Sequence, residues 1–407
     1  MIGTFELFYP IVMSLIWIIG ALFYEIYSIY QVKQSRRICK SQSDPSVDIF
    51  MSCYNEETVL GDAVKSLEQL EYSNYSLILI DDLSTDHTLS IMRDLEQKYS
   101  NIEIIASNEN KGKASELNAA LSKSTAKYIL CVDADSIFDK SSLSHLVNFL
   151  ELNPKCGAVT GRPMVKNTRT ILGKLQFLEY YMNIDFIKRA QFLLTNRILT
   201  ISGVLTLFRR NALENVHGWN PSAMTEDIDI TWRLYQQKWL CGYEPHAICH
   251  IFVPETISGF LNQRKRWAWG GVEVLRKRMN RLFRISWGEG LLTLDVILSY
   301  VWIFLVSISF LQFFFTYLFQ HNLGLRLDVI TIYFGSTLLF YFISRLINSK
   351  NKLLHVPWGI FWLLPVYFYL YWLYNIIVTF MAFYHLFDNI KYAAWGESDR
   401  GNIQHYD

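Results

Sequence analysis

Charged residues and paired cysteines are both scarce in this sequence of 407 residues. Charged residues make up 18% of the chain and the formal net charge is +1, which excludes binding of nucleic acid through an overall positive field. The six cysteines include no C-x-x-C pair. Cys241, Cys249 and His250 come closest to the spacing of zinc ligands, but we expect reduced, buried thiols in a cytosolic domain and no zinc site.

A cleavable leader is not expected either, because no basic stretch precedes the first apolar run at residues 7–30. Apolar runs dominate the sequence instead. Hydrophobic residues make up 51% of the chain, and three further runs cover residues 291–319, 329–347 and 356–387. About 20 residues cross the ~30 Å of hydrocarbon in a bilayer, so each run is long enough to span it. The composition therefore predicts a multi-pass membrane protein.

Basic residues predict the orientation of these segments. Four of them follow the first apolar run: Lys33, Arg36, Arg37 and Lys40. Because basic residues stay on the cytosolic side, we expect the N-terminus outside and the chain after residue 31 in the cytosol of the cell membrane. Three crossings after residue 288 would put the C-terminal tail outside, whereas basic residues in the tail favour the inside. Either residues 291–319 or the run that contains Pro365 is therefore expected to be partly interfacial or re-entrant.

The region between residues 44 and 254 alternates short apolar strands with helical segments. Strands are predicted at residues 48–53, 76–80, 102–106 and 128–132. Such alternation implies a mostly parallel sheet with helices on both faces, and ligands in these sheets bind beyond the carboxyl ends of the strands. We therefore predict an α/β domain attached to α-helical transmembrane segments.

Two aspartates follow the last of these strands. Asp133 and Asp135 are two residues apart, so an extended backbone points both side chains to one side. Mg²⁺ or Mn²⁺ on a diphosphate typically takes one or two such carboxylates as ligands. The alternative is a pair of solvated turn residues, but the position after a buried strand favours a metal site.

Other polar clusters end neighbouring strands at the same edge of the sheet. They are Tyr54-Asn55-Glu56 and Asp81-Asp82. A carboxylate there can accept hydrogen bonds from a base or a ribose hydroxyl, although helix capping is an alternative role. Lys113 would offset phosphate charge, unless it is simply a solvated lysine.

Thr225-Glu226-Asp227 opens a helix further along the chain. An acidic residue in a first helical turn often only stabilises the helix dipole. As a general base, however, Asp227 needs no more than hydrogen-bond reach to an acceptor hydroxyl.

A fourth motif, Gln263-x-x-Arg266-Trp267, combines an amide, a permanent cation and a large aromatic face. Arginine can neutralise a departing diphosphate, and tryptophan stacks on sugar rings. The surrounding basic residues also fit an amphipathic helix at anionic lipid head groups, and both roles are compatible.

In this order the four motifs resemble those of the processive glycosyltransferases of family 2, which include cellulose, chitin, hyaluronan and poly-N-acetylglucosamine synthases. The resemblance implies a nucleotide-sugar-binding domain of the glycosyltransferase A type and an inverting transfer from a UDP-sugar that depends on Mg²⁺ or Mn²⁺. The implied organisation is a transmembrane helix at 1–31, a cytosolic transferase domain at 42–254, an interfacial region at 255–288, transmembrane segments at 289–387 and a tail at 388–407.

Shorter matches extend the resemblance to the poly-β-1,6-N-acetylglucosamine synthases of this family. They lie at residues 7–10, 157–161, 200–204, 253–256 and, in the tail, 395–401. They imply UDP-N-acetylglucosamine as donor, a growing glycan as acceptor, a biofilm exopolysaccharide as product and export of that product across the membrane. They also leave room for a small membrane accessory subunit.

The resemblance assigns roles to individual residues. The UDP moiety would be held by Ser52, Tyr54, Asn55, Glu56, Asp81, Asp82, Lys113 and Asp133. The metal would be held by Asp133 and Asp135. Catalysis would fall to Asp227 with Glu226 and Thr225, and the diphosphate and acceptor would contact Gln263, Arg266 and Trp267. The sequence departs from the family at Leu83, where glycine is usual, and at Ser398, where proline is common.

Three alternatives stay open at this point. A hyaluronan-, cellulose- or chitin-like synthase of another β-glycan would share these motifs, because no residue selects the donor sugar by spacing. A non-processive enzyme that glycosylates a lipid phosphate would make a short lipid-linked product. Outside this class, a transporter or sensor with a degenerate transferase domain would release no UDP.

Overall fold

The structure is a computed structural model that describes residues 2–38, 44–279, 286–320, 327–349, 351, 354, 356, 358–371 and 373–384. Lys40 and the predicted tail at 388–407, with Ser398 and the match at 395–401, lie outside the described residues.

Eight strands and fourteen α-helices are described in these ranges. The strands are β1 (Val47–Cys53), β2 (Tyr75–Asp81), β3 (Ile102–Ala106), β4 (Tyr128–Asp133), β5 (Ile137–Phe138), β6 (Cys156–Val165), β7 (Leu205–Arg209) and β8 (Leu240–Ile251). The first nine helices are α1 (Ile2–Ile38), α2 (Leu60–Leu67), α3 (Thr88–Lys98), α4 (Lys113–Lys123), α5 (Ser142–Leu152), α6 (Ile171–Leu178), α7 (Asp185–Thr195), α8 (Arg210–Asn215) and α9 (Glu226–Gln236). The last five are α10 (Ile257–Met279), α11 (Trp287–Gln320), α12 (Leu327–Ile347), α13 (Leu364–Val366) and α14 (Leu373–Tyr384). Short π-helical turns at Glu179–Ile184 and Tyr367–Tyr371 lead into α7 and α14, and a 3₁₀ turn at Trp358–Leu363 precedes α13.

The strands form one mixed sheet in the order β3-β2-β1-β4-β7-β6-β8-β5. The first four in this order run parallel, as do β6 and β8, whereas β7 is antiparallel to both neighbours and β5 is antiparallel to β8. The predicted α/β class with a mostly parallel sheet is therefore confirmed. All four predicted strands are present, each within about one residue of its expected bounds.

The core of the sheet follows from the apolar runs. Residues 49–53 of β1 and 128–132 of β4 are buried, as expected for central parallel strands with helices on both faces. Helix α2 places Leu60, Ala63, Val64 and Leu67 at helical spacing, and all four are buried against this sheet.

Three helices are long and apolar enough to cross a membrane, through Phe5–Tyr30, Trp287–Phe319 and Ile330–Ile347. The predicted run at 356–387 is not one continuous helix. Its segments Gly359–Tyr369 and Leu373–Tyr384 meet at an angle of 47°, and together they would make a fourth span among the described residues. These apolar helices indicate a membrane protein. The interruption falls in the run that contains Pro365.

Helix α1 packs against α7 of the α/β domain, close to the sheet. The helices approach most closely at Gly20, where an added Cβ atom would lie 2.5 Å from the Cβ of Ala190. Only glycine permits this distance. The hydroxyl of Tyr24 also donates to the carbonyl of Tyr243 in β8. The first apolar helix is thus packed onto the core of the α/β domain.

A buried ion cluster joins the α/β domain to two membrane helices. The Asp185 carboxylate contacts Arg189 at 2.8 Å and Arg162 at 3.3 Å, and all three side chains are at most 2% exposed. Arg189 continues to Glu25 of α1 at 2.7 Å, and Arg162 donates to Asn348, which follows α12, at 2.8 Å. Because a buried charge is costly without a partner, this cluster holds the three elements in one arrangement.

We expect Asp185→Asn to lower the free energy of unfolding by about 3–5 kcal/mol, because the change leaves Arg162 without its carboxylate partner in the interior. The Tm in detergent, measured by size-exclusion chromatography after heating, should fall by roughly 5–10 °C. Lys140→Ala is the control: its pair with Glu71 is 3.7 Å long and about two-thirds exposed, so Tm should barely change. Equal Tm values for both variants would contradict the role of the cluster.

Candidate active site

A cavity of about 660 Å³ lies beyond the carboxyl ends of the parallel strands. Its wall is shared by the sheet edge, α7, α9, α10 and the membrane helices α11 and α14. Ten of the predicted site residues line it: Glu56, Lys113, Asp133, Asp135, Thr225, Glu226, Asp227, Gln263, Arg266 and Trp267. Motifs that are up to about two hundred residues apart in sequence therefore share one space.

The register of the sheet brings the strand-end residues together. Ser52 pairs with Asp133 across β1 and β4, and Cys53 pairs with Asp81 across β1 and β2. Among the described residues, the cavity wall does not include the predicted donor ligands Ser52, Tyr54, Asn55, Asp81 and Asp82. They lie at the adjoining part of the sheet edge. The Ser52 hydroxyl is buried there and has no hydrogen-bond partner in the described structure.

Asp82 has a structural role at this edge. Its two carboxylate oxygens accept hydrogen bonds from the amides of Lys111 and Gly112, at 2.9 and 3.0 Å. Burial raises the pKa of Asp82 to about 6, although these two amides act in the opposite direction. Asp82 thus holds the loop that leads into α4 and carries Lys113. Contact with uridine stays a prediction.

The next residue, Leu83, adopts a left-handed backbone with φ of 62° and is 45% exposed. This is the position where the sequence departs from the family's usual glycine. The turn that glycine favours is therefore retained, at the cost of strain on a residue with a Cβ atom.

Lys113 links the predicted metal ligand Asp133 to the helix that carries the predicted base. Its ammonium lies 2.6 Å from Asp133 and 3.2 Å from Glu226. Burial disfavours the cation, but these two carboxylates outweigh it and raise the pKa of Lys113. The same cation holds the pKa of Glu226 below its usual value in spite of burial. Lys113 is therefore not a solvated surface lysine.

Asp227 lies at the start of α9, and both of its carboxylate oxygens accept backbone hydrogen bonds. One oxygen accepts from the Gly203 amide at 3.3 Å, and the other from the Ile228 amide at 2.8 Å. Burial and the neighbouring charge of Glu226 raise the pKa of Asp227 to about 6, against the effect of Lys113. The two hydrogen bonds orient the Asp227 carboxylate, and its pKa suits it to accept a proton near neutral pH.

Helix α10 presents the fourth motif to the same space. The Gln263 side-chain oxygen is buried with no hydrogen-bond partner in the described structure. The positive charge of Arg266 acts to lower the pKa of Glu226 and of Asp227. Gly270 lets α10 lie directly against α9, because an added Cβ atom would be 1.9 Å from the Thr225 hydroxyl.

Sequence reasoning missed the support of this motif. Arg264 lies over the Trp267 ring at 4.2 Å and pairs with Glu179 at 2.6 Å. Glu179 also accepts hydrogen bonds from the hydroxyls of Tyr371 and Tyr374, at 2.6 and 3.0 Å. Glu179, the one acidic residue in the stretch at 175–184, was the available signal. The Arg264–Glu179 pair therefore connects Trp267 of α10 to Tyr371 and Tyr374 of the bent apolar segment.

The residues at the strand end fit a divalent cation that arrives with a diphosphate. Asp133 and Asp135 both line the cavity and supply the hard oxygen ligands that Mg²⁺ and Mn²⁺ prefer. Within the described ranges, no group of three or more His, Cys, Asp or Glu side chains is arranged to hold a metal. The remaining ligands would come from phosphate and water, as is usual for Mg²⁺ in phosphate chemistry.

Comparison with known proteins agrees with this geometry. A family model described as glycosyltransferase like family 2 matches residues 45–270. The poly-beta-1,6-N-acetyl-D-glucosamine synthase of Staphylococcus epidermidis RP62A is 35% identical over 413 residues, which cover 98% of this chain and 99% of that protein. The synthase of the same name from Staphylococcus aureus COL is 34% identical over 422 residues, with 98% and 99% covered.

A solved structure shows the same fold. It is a mannosyltransferase from Pyrobaculum calidifontis in complex with GDP-mannose and Mn²⁺, with a TM-score of 0.57 and 16% identity. The match covers 92% of this chain and 98% of that chain. At this identity the likeness concerns the fold alone.

We expect Asp135→Asn to weaken Mn²⁺ binding at least about tenfold in the presence of UDP, because one of two protein carboxylates is lost. The free Mn²⁺ signal in electron paramagnetic resonance measures this directly, without turnover. Asp62→Asn, an exposed carboxylate on α2, should leave the affinity unchanged. An unchanged affinity in Asp135→Asn would remove this residue from the metal site.

Proposed function

The chain belongs to glycosyltransferase family 2, and from that premise we propose that it polymerises N-acetylglucosamine from UDP-N-acetylglucosamine into a β-1,6-linked glycan. The observation that carries the proposal is the single cavity in which the strand-end aspartates, Asp227 and the α10 motif meet beside membrane helices. The donor and the linkage are supported by the near full-length similarity to two synthases of that name.

The reaction we propose is one displacement at the anomeric carbon. The acceptor hydroxyl oxygen forms the new bond to this carbon, the bond to the UDP oxygen breaks, and Asp227 takes the hydroxyl proton. Attack from the face opposite UDP converts an α-linked donor into a β linkage, so no enzyme nucleophile is needed. The hydrogen bonds from Gly203 and Ile228 would hold the Asp227 carboxylate in place for this transfer.

The departing diphosphate needs positive charge. Arg266 lines the cavity on the side of α10, and Lys113 lines it on the side of α4. Preorganised charges of this kind usually stabilise the transition state more than any other single effect. A divalent cation held by Asp133 and Asp135 would supply further charge neutralisation when it is bound.

The acceptor would enter from the side of the membrane. Gln263 offers an unpartnered amide oxygen to a sugar hydroxyl, and Trp267 offers a face for stacking. Beyond them, Ser299 and Tyr300 of α11 and Thr379 of α14 continue the same cavity wall. We propose that the growing glycan leaves along this wall and crosses the membrane.

The membrane arrangement that goes with this proposal keeps the predicted boundaries. The basic residues after the first run favour an external N-terminus and a cytosolic transferase domain at 42–254 in the cell membrane. Large apolar side chains on the second half of α11, including Phe314, Phe315 and Phe319, are more than half exposed. Lipid or a small membrane accessory subunit would cover them.

We expect UDP release to fall about tenfold for each pH unit below a pKa of about 6, because only ionised Asp227 can accept the proton. On the acid side of the pH profile, the rate should therefore decrease as the pH falls and should not change with pH above pH 7. The pH profile of kcat/KM in membrane preparations measures this dependence.

Asp227→Asn should lose about 10²–10⁴-fold in rate while UDP still binds. Asp94→Asn, exposed on α3, is the control. An acid limb that persists in Asp227→Asn would assign the titration to another group.

The product assay tests the proposal as a whole. Membranes that contain the chain should release UDP from UDP-N-acetylglucosamine with Mg²⁺ or Mn²⁺, but not from UDP-glucose or UDP-glucuronate. A β-1,6-N-acetylglucosaminidase should digest the polymer. Turnover of another donor would favour another β-glycan synthase, and a short lipid-linked product would favour the lipid-phosphate enzyme. No turnover with any donor would favour the transporter or sensor.

A further inference from the structure

Helix α7 has two faces with different surroundings. One face packs on α1 through Ala190 and Arg189, as described above. The other face lines the cavity: Ile184, Ile187, Lys188 and Gln191 recur there at helical spacing. None of the four belongs to a motif that the sequence analysis singled out. The cavity-facing side of α7 is therefore a part of the site that still lacks a role.

Lys188 is an exception among the buried cations. Five lysine and arginine side chains are buried in the described structure: Arg162, Lys188, Arg189, Arg264 and Arg278. Each of the four arginines contacts a carboxylate at 3.3 Å or less. Lys188 is 8% exposed, and within the described ranges its ammonium makes no hydrogen bond or ion pair. The centre of the Tyr243 ring lies 5.8 Å from the nitrogen.

A buried ammonium costs several kcal/mol unless hydrogen-bond acceptors replace water. Burial lowers the pKa of Lys188 to about 8, while the charges of Asp227 and Asp185 and the thiol of Cys249 act in the opposite direction. The cation therefore still predominates at neutral pH. No group in the described residues accepts a hydrogen bond from this ammonium, and Lys188 lines the cavity, so its acceptor is water or a ligand bound there.

The position of Lys188 indicates which part of a bound ligand would lie near its ammonium group. Asp227 is near enough for its charge to raise the pKa of Lys188. The Cys249 thiol is near Lys188 and also near Asp133 and Asp135, because the charges of all three affect its pKa. In the proposed reaction the donor sugar must bridge the diphosphate at Asp133 and Asp135 and the base at Asp227. The ring of the donor sugar would therefore lie beside Lys188.

The neighbours of Lys188 indicate which substituent it meets. Ile184 and Ile187 lie beside it on the same cavity wall. One cation beside apolar side chains on a cavity wall matches an acetylated amino group, which carries a strong carbonyl acceptor and a methyl group next to each other. A hydroxyl group would leave the apolar surface unfilled and is a weaker acceptor.

We propose that Lys188 is a donor-specificity residue that donates a hydrogen bond to the acyl carbonyl of a 2-acylamino sugar, while Ile184 and Ile187 pack against its methyl group. This inference rests on the proposed function, because it takes the donor to be a UDP-linked amino sugar. It adds a selecting contact that is absent from the four motifs.

The test is Lys188→Met in membranes, since methionine keeps the length of the side chain but removes the donor. We expect kcat/KM for UDP-N-acetylglucosamine to fall about 10–100-fold, as for loss of a hydrogen bond to a charged group. The inhibition constants of UDP and of UDP-glucose against the same reaction should stay within about twofold, because neither molecule carries the acyl group. Unchanged inhibition by UDP also shows that the variant is folded.

Two further variants complete the design. Lys188→Arg keeps the cation and should retain more of the kcat/KM than Lys188→Met. Lys123→Met makes the same change at an exposed lysine in the last turn of α4 and should have no effect.

Three results would overturn the inference. An unchanged kcat/KM in Lys188→Met would show that the residue does not contact the sugar. Weaker inhibition by UDP would place its contact at the diphosphate, and weaker inhibition by UDP-glucose alone would place it at a ring hydroxyl. Lack of turnover of UDP-N-acetylglucosamine by the unaltered protein would instead contradict the proposed function.

Discussion

The active site depends on one cation placed among several carboxylates. Asp133, Asp135, Glu226 and Asp227 all face one cavity, and buried like charges repel strongly. Lys113 lies between two of them, at 2.6 Å from Asp133 and 3.2 Å from Glu226. It thereby ties the sheet edge to the start of α9. With Glu226 paired in this way, Asp227 keeps a pKa that is raised to about 6, which is the property a base requires.

The same requirement that buried charges be paired connects the catalytic domain to the membrane. Asp185 with its two arginines reaches α1 and the end of α12, and Glu179 with Arg264 reaches the bent segment before α14. The Glu179 contacts hold the segment that leads into α14, and residues of α14 line the cavity. Lys188 differs from these buried arginines, because it pairs with no carboxylate in the part of the chain that the structure describes.

Much of the fold could be predicted from local pattern. Apolar strands that end in polar residues at 48–53 and 128–132 indicated a parallel sheet and the edge where its ligands bind, and the sheet has that order. The apolar run at 356–387 was harder, because a hydropathy pattern carries no information on the 47° bend. At Leu83, where the family usually has glycine, the backbone still adopts the left-handed conformation with φ of 62°.

The sequence by itself determined the chemical groups at the site, the type of each element and the apolar length available to cross a bilayer. These are local properties, set by residue type and by periodicity of two or 3.6. Only the tertiary structure decided that Lys113 pairs with Asp133 and Glu226, that Glu179 supports Arg264 and that Lys188 faces the cavity without a carboxylate. Such pairings depend on which helix faces meet, and the residues involved are tens to hundreds of positions apart.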